Sequence, residues 1–141
     1  MKVGLIRCMQ TEDMCPMTTD FKIMREKKYA FENVEEDIEV IGVNTCGGCP
    51  GKKAVTRAVE MVKRGADTIV LASCITKGNP IGFACPHAEQ MKQAIFNKIG
   101  DTVRLIDYTI KEYSLIIKVE QEHIISLLNT ALFRNMFNTL Y

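Results

Sequence analysis

The 141-residue chain lacks an excess of charge of either sign: 18 lysines and arginines stand against 17 aspartates and glutamates, a formal net charge of +1. It also lacks any basic run interleaved with aromatics. Together these absences remove the electrostatic footprint of a DNA or RNA binder and the polybasic patch of a membrane-surface protein. No apolar run approaches the about 18 residues that a membrane-spanning helix needs. The opening stretch, Met1 to Arg7, has too short an apolar core for a secretory signal. Internal repeats and low-complexity tracts are missing, and histidine is limited to His87 and His123. The expectation is a cytoplasmic protein with neither nucleic acid nor membrane as partner, long enough to bury one real core.

Four short apolar runs rich in β-branched residues are present: Val3 to Ile6, Ile38 to Val43, Thr68 to Ala72 and Val103 to Ile106. Each reads as a strand buried on both faces. Helical patterns lie between them. Thr19 to Val34 carries Phe21, Met24, Lys28 and Phe31 on one side. Gly51 to Arg64 repeats Ala54, Val55, Ala58, Val59 and Val62, and Gly65 stops it. His87 to Ile99 has Ala88, Met91, Ala94, Ile95 and Lys98 inward, and Gly100 ends it. Strands alternating with helices predict an α/β fold: a three-layer sandwich on a four-stranded parallel sheet, doubly wound and flavodoxin- or Rossmann-like, in the order 2-1-3-4. Residues 1–109 form this domain. Residues 110–141 are a helical extension whose apolar stripe, Ile124, Ile125, Leu128, Leu132, Met136 and Leu140, suits a helix packed on the sheet or a homodimer contact.

Six cysteines are present, and in a reducing compartment they are ligands, redox thiols or small buried hydrophobes rather than structural disulfides. Parallel strands all finish at one edge, so the topology gathers their loops. Cys8 follows the first strand, Cys46 and Cys49 the second, Cys74 the third. Cys15, Cys85 and His87 sit in loops on the same side, and no cysteine falls inside an expected strand or helix. Ligand sites of open α/β sheets lie at this edge. The run Asn44-Thr45-Cys46-Gly47-Gly48-Cys49-Pro50-Gly51-Lys52-Lys53 is the densest part. A two-residue turn puts both sulfurs of a Cys-x-x-Cys pair on one side, as a metal clamp requires. Pro50 suits the first turn of the helix that follows, and its N-terminus, with Lys52 and Lys53, favours thiolate and could seat a small anion.

These residues resemble the CGGC-domain proteins. The resemblance rests on Cys46-Gly47-Gly48-Cys49-Pro50-Gly51, on Arg7-Cys8 after the first strand and on Thr11 with Cys15. It continues through Gly65-Ala66-Asp67, Ser73-Cys74 and Cys85-Pro86-His87, covering about residues 1–109. It implies a metal site, zinc foremost, held by cysteines and histidines, and it implies no defined reaction. Family members often close the fourth strand with a Thr-His pair; here Thr109 is followed by Ile110, which removes one histidine donor.

The candidate metal ligands are Cys8, Cys15, Cys46, Cys49, Cys74, Cys85 and His87, more than the four that one tetrahedral zinc takes. An iron–sulfur cluster with spare thiols is therefore also open. So is thiol–disulfide chemistry at Cys46 and Cys49, with Cys46 as the more exposed, attacking thiol. A phosphatase-type Cys-x5-Arg loop fails for both Cys8 and Cys74. A Walker loop fails at Cys46 and Lys53, and a dinucleotide-binding Gly-x-Gly-x-x-Gly fails at Cys46. His87 could pair with Cys85 or Cys74 as a nucleophile's base, but a lone histidine at a helix start is more often a cap or surface residue. His123 has no partner nearby in sequence.

Overall fold

A computed structural model describes residues 1–110. Four strands, β1 (Lys2–Arg7), β2 (Glu39–Thr45), β3 (Thr68–Leu71) and β4 (Arg104–Ile106), form one sheet in the order β2-β1-β3-β4. Every neighbouring pair is parallel, and this is the expected order and class. The helices are α1 (Thr18–Arg25), α2 (Lys52–Lys63), the single turn α3 (Ser73–Thr76) and α4 (Ala88–Ile99). Among the described residues, no helix is long and apolar enough to cross a membrane. The expected C-terminal helix with its dimer stripe, and His123, lie outside the described residues.

The core follows from the apolar runs. Val3, Leu5 and Ile6 of β1 and Ile69, Val70 and Leu71 of β3 are fully buried, as central strands covered on both faces must be. β2 departs from that expectation: it is an edge strand, mostly half-exposed, and Val43 is exposed. On α2 the buried stripe is Ala54, Ala58 and Met61. Val55, Val59 and Val62 are half-buried beside that stripe, and Met61 packs over Gly4 and Gly42 of the sheet. On α4, Ala88, Met91 and Ile95 are buried, whereas Ala94 and Lys98 are exposed.

The first helix is much shorter than its pattern suggests. Lys27 takes a left-handed conformation (φ 51°), and the N–H of Lys28 bonds back to the Ile23 carbonyl at 3.1 Å while that of Lys27 bonds to Met24 at 3.2 Å. This pairing terminates helices. Phe31 reaches the core from a separate one-turn 3-10 helix, Tyr29–Phe31.

Sheet register decides where the loops emerge. Arg7 pairs with Thr45, and Ile6 with Leu71. One step further along β1 and β2 sets Cys8 level with Cys46. β3 runs out two residues before Ser73, where the chain turns into α3 and carries Cys74 to the same edge.

Candidate functional site

Cys8 is the first residue past β1, still extended (φ −69°, ψ 133°), before a one-turn 3-10 helix, Met9–Thr11. Its conformation aims two successive backbone amides across the sheet edge. The Cys8 N–H donates to Cys74 Sγ at 3.0 Å, and the Met9 N–H reaches Cys46 Sγ at 3.5 Å. Cys46 is tied back in turn, its own N–H donating to the Arg7 carbonyl at 2.8 Å. Fully buried Thr11 donates its hydroxyl to the Cys8 carbonyl at 3.0 Å. Three segments distant in sequence are thus stitched together through sulfur and backbone.

The turn carrying Cys46 and Cys49 is held from α2. Arg57 donates from Nη1 to both the carbonyl and the hydroxyl of Thr45, each at 2.8 Å. That guanidinium and the Lys53 stem lie against Gly47: a Cβ there would come within 2.6 Å of Lys53 Cβ and 3.0 Å of Arg57 Nη1, at φ +80°. Only glycine fits. Pro50 lies before the helix rather than in its first turn, since the N-cap is Gly51. Cys46 is buried and Cys49 exposed, the reverse of the expected order. Cys46 continues the strand and is capped by the Met9 amide, whereas Cys49 stands out in the turn.

Cys8, Cys46, Cys49, Cys74 and Cys85 line one cavity of about 210 Å³. Cys85 is brought there by a loop folded on itself. Its N–H bonds to the Ile75 carbonyl at 2.8 Å, and Gly82 bonds to Gly78 at 2.7 Å. Gly78 (φ +79°) is pressed so closely on the loop's return that a Cβ would fall 2.1 Å from the Phe83 carbonyl carbon. Cys15 and His87 do not line the cavity. Cys15 Sγ instead lies 4.0 Å from Met17 Sδ, and half-buried His87 occupies the α4 N-cap position without a side-chain capping bond. Cys74 lies inside α3, a one-turn helix too short to show in the residue pattern.

Burial pushes the Cys74 thiol up to about 11, against the opposing pull of the Cys8 amide and the Thr11 hydroxyl. Burial also raises Cys8. The amides of Gln10 and Thr11 offset part of this, and negative charge on Cys46 or Cys85 adds to it. The thiols therefore sense one another. Their sulfurs share the cavity without converging: among the described residues no three of the His, Cys, Asp and Glu side chains stand grouped as a metal ion would hold them. The donor set fits a thiophilic cation in kind, being sulfur-rich and poor in oxygen.

The apolar part of the wall is unannounced at Met9, Ile81 and Phe83, and Met91, expected inward on its helix, completes it. The signal is a methionine directly after Cys8 and two bulky apolar residues on either side of Gly82. Sequence reasoning also passed over a polar cluster one residue from Cys74. Ser73 Oγ accepts from the N–H groups of Thr109 and Ile110 at 3.0 and 2.8 Å and donates to the Ile110 carbonyl at 3.0 Å. Thr109 donates its hydroxyl to the buried Asp20 carboxylate. Burial raises Asp20, with the Thr109 hydroxyl, its own backbone amide and the charge of Arg7 pulling the other way.

The family described as the CGGC domain matches residues 2–110. An uncharacterized protein of Methanocaldococcus jannaschii, MJ0582, is 40% identical over 81 residues, covering 52% of this chain and 62% of that protein. A second from the same organism, MJ0766, is 38% identical over 64 residues, covering 45% of this chain and 91% of that protein. The chain thus spans about three fifths of the first relative and nearly all of the second. No solved structure matches at comparable significance.

Proposed function

The chain belongs to the CGGC-domain family, and on that footing we propose that it binds zinc through cysteine thiolates at the C-terminal edge of its parallel sheet. The carrying observation is the single cavity that Cys8, Cys46, Cys49, Cys74 and Cys85 reach from separate loops. Cys8, Cys46 and Cys74 are the central ligands, and Cys49 or Cys85 supplies the fourth. Cys15 and His87, away from the cavity, have the weakest support. Zinc held this way supplies a redox-inert centre that prefers four donors in a tetrahedron. Reaching that number asks the side chains to rotate inward from where they stand.

The chain's own part is to make thiolate tolerable in a buried place. A sulfur must lose its proton to become a ligand, and burial resists this at Cys8 and Cys74. The amides of Cys8 and Met9, aimed at the sulfurs of Cys74 and Cys46, favour the anion. Lys52 and Lys53, in the first turn of α2, offset part of the remaining charge. Six free thiols suit the reducing cytoplasm.

Elemental analysis with a visible spectrum on anaerobically purified protein tests the reading. We expect colourless protein with about one zinc per chain. Cys46→Ser lowers that content, and unchanged metal would remove Cys46 from the ligand set. A brown iron protein would replace zinc with a cluster. Metal-free protein that loses two thiols to mild oxidant, and regains them with a dithiol, would replace metal binding with disulfide chemistry.

A further inference from the structure

The cavity above the thiols is larger than an ion requires, and its walls say what else it takes. A dry apolar cavity of about 150 Å³ accommodates benzene; this one measures about 210 Å³. Among the described residues, its side chains beyond the cysteines are those of Met9, Ile81, Phe83, Pro86 and Met91, with Gln10 the single amide. No lysine, arginine, aspartate or glutamate among the described residues lines it. An anionic ligand would lose its hydration with no cationic side chain to replace it, and a ligand rich in hydroxyl or amide groups would find almost no partners. Sulfur is different. A thioether or thiol loses little on leaving water and packs well against methionine, aromatic rings and other sulfurs. Met9 and Phe83 are 47% and 66% exposed. Large apolar side chains left facing water at a cavity mouth are the usual mark of a ligand site.

We propose that this cavity is a binding site for an uncharged, sulfur-bearing organic molecule of roughly six to ten non-hydrogen atoms. Its hydrocarbon part packs on Met9, Ile81, Phe83 and Met91, and its sulfur faces the cysteine floor. The site stands on the shape and polarity of the walls and does not depend on a metal.

Thioanisole is a suitable probe, with benzoate as the charged counterpart of similar size. The full chain, reduced and labelled with carbon-13 in the methionine methyl groups, is titrated by NMR with and without zinc. The Met9 and Met91 resonances are assigned by Met→Leu variants. Thioanisole is expected to move the Met9 and Met91 methyls saturably and to bind at least about tenfold more tightly than benzoate. Phe83→Ser, at an exposed position that folding does not depend on, is expected to weaken thioanisole about tenfold. Methyls unmoved up to the solubility limit, equal affinity for benzoate, or shifts confined to methionines away from the cavity would each overturn the site. Saturable binding to protein that takes up no zinc upholds this inference while removing the metal reading. Zinc uptake with unmoved methyls does the reverse.

Discussion

Ser73 and Cys74 are consecutive, both buried, and both open the same one-turn helix, yet they serve opposite chemistries. Ser73 belongs to a closed cluster of oxygens. Its hydroxyl takes two amides and gives to a carbonyl, and Thr109 beside it satisfies Asp20. That cluster latches the end of β4 to the end of β3. Cys74 belongs to an open cluster of sulfurs, where one amide reaches its Sγ and the remaining capacity faces a cavity. Buried polar groups that are fully paired hold structure. The thiols carry no disulfide among them and line a cavity instead of pairing with one another. Adjacent residues thus divide the sheet edge into a paired oxygen cluster and a sulfur-lined cavity.

Damage to each side is expected to have its own signature. The largest effect is expected at Gly78, which shapes the loop bearing Phe83 and Cys85. Gly78→Ala forces a left-handed alanine into the Phe83 backbone. It should cost about 3 kcal/mol in urea unfolding and lower metal content as well. On the oxygen side, Thr109→Val strips the hydroxyl from Asp20 and an acceptor from the Ser73 amide. A loss of about 2 kcal/mol is expected, with metal per folded chain unchanged. If metal falls in proportion to stability, the two clusters are one.

A smaller effect concerns pH. Burial holds the Asp20 carboxyl above its ordinary range, so the folded chain keeps a proton that the unfolded chain has released. Between the two pKa values the folded state binds more protons, and stability falls as pH rises. Asp20→Asn should flatten this trend. The stability of wild type relative to the variant, measured from about pH 3 to about pH 7, should decline and then level off, and a rising difference would refute the assignment. The smallest effect belongs to Lys92, which bridges Glu89 at 3.1 Å and Asp107 at 3.0 Å on the surface. Lys92→Ala should cost about 0.5 kcal/mol or less, fade with salt, and leave both clusters alone.

The sequence announces the sheet because Val3 to Ile6 and Thr68 to Ala72 are unbroken apolar runs, and only a central parallel strand needs that. It announces the gathering of Cys8, Cys46 and Cys74 because parallel topology alone brings strand ends together. The polar latch was hidden: Asp20, Ser73 and Thr109 are unremarkable residues far apart in the chain, and their pairing depends on three-dimensional approach. The exposure of Cys46 and Cys49 was inverted because it turns on one amide from Met9 and on the turn geometry, neither of which spacing encodes. The short first helix was missed because Lys27 adopts a left-handed conformation that a lysine gives no warning of.

Arg57 carries a last implication. Its guanidinium grips the final residue of β2 from the second turn of α2, so the start of the Cys46 turn is fixed from the helix as well as from the strand. Without that guanidinium the carbonyl and hydroxyl of Thr45 would lose their shared donor, one residue before the first sulfur of the turn.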